Sequence, residues 1–302
     1  MQELNKISTA PISLTNQERI KLAFSRSARN YDSFALLQRE MAAELLKKVV
    51  SLPSAPRLPH PIILDIGCGT GFLTYGLANA FPDANIFGCD ISHAMTELAK
   101  DKGQGARDKK VYFFTADGGV LPYKDETFDM VVSNLTYQWI HDIKTAFSEA
   151  HWVLRPAGLF IFSTLGPKTL KELRYCYAEA SARFNKDGLP PFMSFSEQKR
   201  IASALEKAGF SNISIEAADN IQTYPDMRSL LKTIKSIGAG NPFNMGGKSL
   251  ARGSLLKRMA EVYEKRFKIQ DSRFKTCNLQ LATRNCVYAT YEVMFVRAVK
   301  LG

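Results

Sequence analysis

The sequence lacks long hydrophobic runs. Its 302 residues are 45% apolar, but the apolar runs have the length of strands and fall far short of the ~20 residues that a membrane helix needs. Residues 1–16 are polar and show neither the apolar stretch nor the cleavage site of a secretory signal. We therefore expect a cytoplasmic protein with no membrane partner, folded as one large domain or as one domain with an insertion.

Cysteine and histidine are also scarce. The five cysteines are odd in number and form no CxxC pair, which argues against a disulfide framework and against a zinc knuckle. The four histidines show no metal-ligand spacing among themselves. We therefore expect reduced thiols and no metal site. The cysteines are Cys68, Cys89, Cys176, Cys277 and Cys286.

Acidic residues are rare in the last quarter of the chain. The net charge is +11, and the segment from Tyr224 to Gly302 has 15 Lys and Arg residues against 5 Asp and Glu residues. About +10 of the charge therefore lies in this segment. Such a basic surface suits nucleic acid, an anionic membrane or an acidic protein. Ordinary solvated helix faces would have the same composition.

The pattern of the chain predicts four parts. Residues 17–50 have apolar positions at helical spacing, and four prolines in residues 51–61 then end the pattern. Residues 226–268 are mostly helical in pattern and interrupt the alternation of strands and helices that precedes them. The predicted parts are a helical arm with a Pro-rich linker (1–60), a cofactor-binding core (61–223), a basic helical lid or docking insertion (224–286) and a final core strand (287–302).

Short apolar strands alternate with amphipathic helices from residue 62 onward. This rhythm is typical of βαβ units on a parallel sheet. We therefore predict an α/β fold with a mostly parallel seven-stranded sheet and helices on both faces. The predicted strands are 62–66, 85–89, 111–115, 128–133, 158–163, 213–216 and 287–299. The predicted helices are 72–80, 94–101, 143–153, 168–183 and 196–208.

A glycine-rich turn follows the first predicted strand. Residues 65–71 read DIGCGTG, and glycines are needed where a ligand lies against the backbone and where a tight turn requires positive φ. The spacing is GxGxG and not the GxGxxG of pyrophosphate binders. It resembles motif I of the class I methyltransferases, which have a Rossmann-like fold and use S-adenosylmethionine.

Carboxylates follow the next two strands. Asp90 ends the second strand, where it can accept hydrogen bonds from both ribose hydroxyls, although a helix N-cap is the alternative. Asp117 and Gly118 follow the third strand, at the position from which class I methyltransferases bind the adenine amino group. The cofactor contacts that we expect are Tyr31, Asp65, Gly67, Cys68, Gly69, Gly71, Asp90, Ile91, Met95, Asp117, Gly118, Asn134 and Leu135.

The segment after the fourth strand bears on the substrate. Residues 133–136 read SNLT, whereas amino methyltransferases that act on nucleobases have Asn-Pro-Pro-aromatic here. The NPF sequence at 241–243 lies far outside that position, and no Pro-Cys pair for carbon methylation of pyrimidines occurs. We therefore expect no nucleic-acid partner, despite the positive charge.

Several longer segments resemble one family of class I methyltransferases. The chain is similar to the malonyl-acyl carrier protein O-methyltransferases of biotin synthesis, and the similarity extends from about residue 24 to residue 299. The segments are AFSRSARNYD (23–32), SNLTYQW (133–139), FSTLG (162–166), LKTIKSIGA (231–239) and ATYEV (289–293).

This resemblance implies methyl transfer to the free carboxylate of malonyl-acyl carrier protein. It implies that Gln138 and Trp139 line the methyl-transfer pocket, although Trp139 also suits a core position. Tyr31 binds the cofactor or substrate from the arm, or packs as an ordinary aromatic residue. Lys235 and Arg174 are candidates to hold the malonyl carboxylate, with a plain surface charge as the alternative for each.

The resemblance also implies that the acidic carrier protein docks on the basic last quarter of the chain. Two other classes of function remain open at this point. One is a methyltransferase that acts on another small molecule, such as a quinone or a free carboxylic acid. The other is a protein that binds S-adenosylmethionine or RNA without catalysis.

Overall fold

A computed structural model describes residues 15–52, 59–103, 110–182, 194–239, 250–269 and 286–302. Its strands form one seven-stranded sheet in the order β3-β2-β1-β4-β5-β7-β6. The strands are β1 (Ile62–Ile66), β2 (Asn85–Asp90), β3 (Val111–Thr115), β4 (Phe128–Asn134), β5 (Leu154–Leu165), β6 (Phe210–Tyr224) and β7 (Val287–Lys300).

The sheet is parallel except for β7, which is antiparallel to both of its neighbours, β5 and β6. The chain moves outward from β1 to β3 and then returns to β4 on the other side of β1. Ligands in open α/β sheets gather at the carboxyl ends of the strands where the order reverses in this way. The predicted Rossmann-like fold is thus confirmed, and its topology places a site at the ends of β1 and β4.

Helices cover both faces of the sheet. Neighbouring side chains of a strand point to opposite faces, so Ile63 packs with α2 and α3, whereas Leu64 packs with α5 and α7. The helices are α1 (Asn16–Phe34), α2 (Leu36–Ser51), α3 (Phe72–Ala80), α4 (His93–Gly103), α5 (Ile143–Val153), α6 (Lys171–Ser181), α7 (Gln198–Lys207), α8 (Met227–Ile234) and α9 (Leu250–Phe267). A 3₁₀ turn (Tyr137–Trp139) follows β4, and a π-helical turn (Lys235–Ala239) follows α8.

Strand β6 is much longer than the sequence pattern predicts. The predicted strand covered residues 213–216, whereas β6 runs from Phe210 to Tyr224. Residues 216–219 are all exposed, so no alternation of apolar and polar residues marks this stretch. Its length is set by backbone pairing with β7, which lies about 70 residues further along the chain.

Some predicted features lie outside the described residues. They include most of the Pro-rich linker, Cys277, the NPF sequence at 241–243 and much of the predicted basic insertion. The division of the chain into four parts stays a prediction. Among the helices that the structure describes, none is long and apolar enough to cross a membrane.

Candidate active site

A cavity of about 620 Å³ lies at the carboxyl ends of β1 and β4. The glycine loop and the ends of β2, β3 and β4 line one half of it. Residues of α8 and of the adjoining ends of β6 and β7 line the other half, and α1 contributes to both. The position agrees with the one that the sheet topology predicts.

The glycine loop has the shape of a ligand cradle. Gly67, Gly69 and Gly71 have φ angles of 72°, 53° and 85°, a region that residues with a side chain rarely adopt. A Cβ atom on Gly67 would overlap the side chain of Thr136. A Cβ atom on Gly69 would meet no atom within 4 Å, because Gly69 faces the open cavity. A ligand can therefore lie directly on the backbone at Gly69.

Asp90 lies at the end of β2, beside this loop. Its Oδ2 atom accepts a hydrogen bond from the Gly69 amide at 3.0 Å, and its Oδ1 atom accepts one from the Ser92 amide at 2.8 Å. A carboxylate oxygen can accept more than one hydrogen bond, so both atoms retain capacity for a ligand. Burial raises the pKa of Asp90 to about 6, and the two amide donors oppose this rise. Asp90 is therefore mostly ionised at pH 7.

Asp65 is a second carboxylate, buried beneath the loop. Its Oδ2 atom accepts a hydrogen bond from the Thr74 hydroxyl at 2.6 Å, whereas its Oδ1 atom is buried and has no hydrogen-bond partner in the described structure. Burial, and secondarily the charge of Asp90, raises the pKa of Asp65 to about 7. An unpaired buried carboxylate oxygen is costly, and a positively charged ligand nearby would reduce that cost.

Asp117 lies after β3, on the far side of the cavity. Its Oδ1 atom accepts a hydrogen bond from the Gly119 amide at 2.9 Å. Its Oδ2 atom accepts one from Gln17, which reaches it from α1. A Cβ atom on Gly118 would come within 2.7 Å of Ile66, so this turn also requires glycine for close packing.

The structure brings most of the predicted cofactor contacts together. Asp65 and Cys68 line a small recess behind the glycine loop, and Gly71 begins α3 without lining the cavity. The predicted residues that line the main cavity are Tyr31, Gly67, Gly69, Asp90, Ile91, Met95, Asp117, Gly118, Asn134 and Leu135.

Helix α1 lies over the cavity. It is hydrogen-bonded to the half that the glycine loop lines, called the cofactor half below. The Thr70 hydroxyl donates to Asp32 at 2.6 Å, and the hydroxyls of Ser25 and Ser92 lie 2.9 Å apart. Tyr31 lines the cavity from this helix. Burial, reinforced by the charge of Asp90, raises the pKa of Tyr31, so its hydroxyl stays a neutral donor at pH 7.

Gln138 and Trp139 lie on the 3₁₀ turn and line the cavity, as predicted from the sequence. The Thr164 hydroxyl donates to Oε1 of Gln138 at 3.1 Å. The ring of Trp139 packs edge-on against Phe24 of α1, with ring centroids 5.4 Å apart. These contacts join the end of β4 to β5 and to the helix above the cavity.

Lys235 and Arg174 do not line the cavity. Lys235 is exposed at the start of the π-helical turn. Arg174 is half-buried on α6, where its Nε atom donates to the Thr169 carbonyl at 3.2 Å and its guanidinium lies 6.0 Å from the ring centroid of Phe195. Thr169 and Phe195 line the cavity, so Arg174 adjoins the cavity through these two residues without lining it.

Two tyrosines that the sequence did not indicate also line the cavity. The hydroxyls of Tyr224 and Tyr291 lie 3.1 Å apart, at the ends of β6 and β7. Tyr291 falls in the ATYEV segment, but nothing in the local pattern separates this tyrosine from an ordinary core residue. Tyr224 lies 67 residues earlier, and only the pairing of β6 with β7 brings the two together.

Comparisons with known proteins agree with this geometry. A family model described as a methyltransferase domain matches residues 64–162. A malonyl-acyl carrier protein O-methyltransferase of Geobacter sulfurreducens is 33% identical over 254 residues, which cover 84% of this chain and 93% of that protein. The biotin biosynthesis bifunctional protein BioHC of Saccharophagus degradans is 34% identical over 286 residues, or 95% of this chain and 47% of that protein.

A solved structure shares the fold. It is phosphoethanolamine N-methyltransferase 2 of Haemonchus contortus in complex with phosphomonomethylethanolamine and S-adenosylhomocysteine. Its TM-score is 0.58 at 18% identity, and the match covers 97% of this chain and 62% of that one. Since the Geobacter relative is 33% identical across most of both proteins, this chain is a methyltransferase that belongs to the malonyl-acyl carrier protein O-methyltransferase family.

Proposed function

We propose that this chain transfers the methyl group of S-adenosylmethionine to the free carboxylate of malonyl-acyl carrier protein, as a step of biotin synthesis in the cytoplasm. The observation that carries this proposal is the 33% identity to a relative named for that reaction, over 84% of the chain. A bifunctional relative named for biotin biosynthesis supports the pathway. S-adenosylmethionine, when bound, supplies the methyl group on a positively charged sulfur.

The residues of the cofactor half fit this molecule. Asp90 has free acceptor capacity on both oxygens for two ribose hydroxyls. Asp117 is suited to accept from the adenine amino group, and the unpaired Oδ1 atom of Asp65 suits the region of a cationic amino group. The open space at Gly69 leaves room for the ligand against the backbone. A cationic ligand is thus received by an acidic half-cavity.

The proposed reaction needs no catalytic base. A carboxylic acid is already ionised at pH 7, so the nucleophile exists before it enters the site. The task of the protein is to align the carboxylate oxygen with the methyl group and to remove its water. Helix α1 serves the second purpose because Ile20 and Phe24 form part of the cavity wall.

The carrier protein would dock on only part of the basic last quarter. Lys300 lies at the amino ends of the parallel strands, opposite the cavity, where its Nζ atom donates to the Leu154 carbonyl at 2.7 Å. Lys232 and Lys235 are exposed and adjoin Thr233 and Ile234, which line the cavity. We therefore assign docking of the acidic carrier to the exposed cations of α8 and its following turn, beside the cavity, and of α9, which packs against α8.

A labelling experiment tests this function. The protein is incubated with S-adenosylmethionine labelled in the methyl group and with malonyl-acyl carrier protein, malonyl-CoA, malonate, a quinone or tRNA. We expect label in malonyl-acyl carrier protein, as an ester that base removes. Asp90→Ala should abolish most of this labelling, whereas Asp83→Ala, at an exposed carboxylate outside the cavity, should not. Label only in a quinone, in malonate or in tRNA would refute the proposal.

A further inference from the structure

We infer that neutral hydrogen-bond donors, chiefly the side-chain amide of Gln138, receive the malonyl carboxylate, and that none of the lysines and arginines that the structure describes does so. This inference rests on the proposed function and names residues that would hold its substrate. It differs from the expectation from the sequence, in which Lys235 and Arg174 held the carboxylate.

The side chain of Gln138 is held with its donor group free. Thr164 is only 4% exposed, and its hydroxyl donates to Oε1 of Gln138 at 3.1 Å. Within the described part of the chain, Nε2 of Gln138 makes no hydrogen bond. Since Gln138 lines the cavity, its two N–H groups remain for a ligand there.

Other amides at the cavity are already committed or lie elsewhere. Nε2 of Gln222 donates to Glu40 and to Asn220, each at 2.7 Å. Asn134 donates to the Gln38 carbonyl at 2.9 Å and accepts from Ser163 at 2.7 Å. Gln38 also borders the recess behind the glycine loop. Nε2 of Gln17 donates to Asp117, and Asn16 is exposed at the start of α1. Gln138 is therefore the amide that is best placed to act on the substrate.

The tyrosine pair offers a second neutral donor. Burial raises the pKa of Tyr224 to about 12 and also raises the pKa of Tyr291. Both hydroxyls therefore keep their protons at neutral pH. Only one of the two protons can lie in the hydrogen bond between them. The other is available to a ligand in the cavity that both residues line.

The charges around the cavity favour such a neutral receptor. Among the described lining residues, the carboxylates are Asp90, Asp117 and Asp142, and no lysine or arginine is present. The substrate carboxylate loses its charge as the methyl ester forms. A cation beside it would therefore stabilise the ground state more than the transition state and slow the reaction. Neutral donors orient the carboxylate with less of this penalty.

The test compares Gln138→Glu with Gln138→Leu, on malonyl-acyl carrier protein and on malonyl-CoA. Both changes remove hydrogen bonds to a charged group, so kcat/KM at pH 8 should fall by about 10- to 100-fold on both substrates. In Gln138→Glu, activity relative to the parent at the same pH should recover as the pH is lowered, because a protonated carboxyl group again donates a hydrogen bond. Gln138→Leu should show no such recovery, and neither change should alter the affinity for S-adenosylmethionine.

Matched variants complete the test. Tyr137→Phe removes a neighbouring buried hydroxyl that has no hydrogen-bond partner in the described structure, and it should leave both rates unchanged. Lys235→Ala and Arg174→Ala should retain the parent kcat/KM on malonyl-CoA. The inference is overturned if Gln138→Leu matches the parent, or if Lys235→Ala or Arg174→Ala loses activity on malonyl-CoA. If the parent itself methylates no malonyl thioester, the proposed function fails instead.

Discussion

Replacement of Asp65 by asparagine probes the charge buried beneath the glycine loop. Burial raises the pKa of this carboxyl from 3.8 to about 7, and each pKa unit of difference between the folded and unfolded states corresponds to about 1.4 kcal/mol. Because the folded-state pKa is the higher one, the ionised carboxyl destabilises the cofactor-free protein at high pH. The cost is about 4 kcal/mol at pH 8 and disappears as the pH falls toward 4.

Asparagine removes that charge but introduces a smaller cost. Its oxygen can still accept from Thr74, whereas its N–H groups replace the buried Oδ1 atom, at a cost of about 1–3 kcal/mol if they stay unpaired. We therefore expect Asp65→Asn to unfold with a free energy about 1–3 kcal/mol above that of the parent at pH 8. Near pH 4 the variant should be the less stable of the two.

Urea denaturation of the cofactor-free protein at several pH values measures this effect. Asp129→Asn is a matched control, since Asp129 is 7% exposed but bonded to Arg155 at 2.7 Å and to the Ile62 amide at 2.8 Å. That substitution should destabilise the protein at pH 8. S-adenosylhomocysteine should stabilise the parent more than Asp65→Asn. A stability difference between Asp65→Asn and the parent that does not change with pH would refute the reasoning.

Three further predictions concern the cofactor, α1 and the carrier protein. Asp90→Ala should weaken S-adenosylmethionine binding at least tenfold, because it removes two hydrogen bonds to a charged group worth about 1.5–3 kcal/mol each; unchanged affinity by calorimetry would contradict the ribose assignment. Amide hydrogen exchange in residues 17–40 should slow when S-adenosylhomocysteine binds; unaltered exchange would count against closure of α1 over the cofactor. The combined changes Lys232→Glu, Lys257→Glu and Lys265→Glu should raise KM for malonyl-acyl carrier protein at low ionic strength but not KM for malonyl-CoA; equal KM values for parent and variant would place docking elsewhere.

The sequence alone was sufficient to predict the position of several strands and helices of the core. Residues 62–66 and 111–115 were predicted as strands and are β1 and β3 with the same bounds. β1 is buried and β3 is a partly exposed edge strand, but both are short apolar runs between turn residues, so local pattern is enough to locate them. The predicted helices 72–80 and 143–153 also coincide with α3 and α5.

The cofactor half was predictable for a related reason. Gly69, Asp90 and Asp117 each follow a predicted strand, and the carboxyl ends of parallel strands meet at one edge of a sheet. Strand order and direction therefore bring these residues together without any knowledge of side-chain packing. The roles of these residues toward the cofactor stay proposals.

The other half of the cavity depends on contacts between distant segments. The hydrogen bond between Gln138 and Thr164 requires β4 to be paired with β5, and the one between Tyr224 and Tyr291 requires β6 to be paired with β7. Lys235 is a cation in a segment that resembles the family, and Arg174 is a cation between two such segments, yet both lie outside the cavity lining.

Local sequence thus determined which residues form the strands and the glycine loop, because burial on both faces and positive φ angles restrict residue type at each position. Only the tertiary structure decided which side chains line the other half of the cavity. That outcome depends on the length and register of β6 and β7 and on how α1 and α8 pack above them, and no local pattern encodes these.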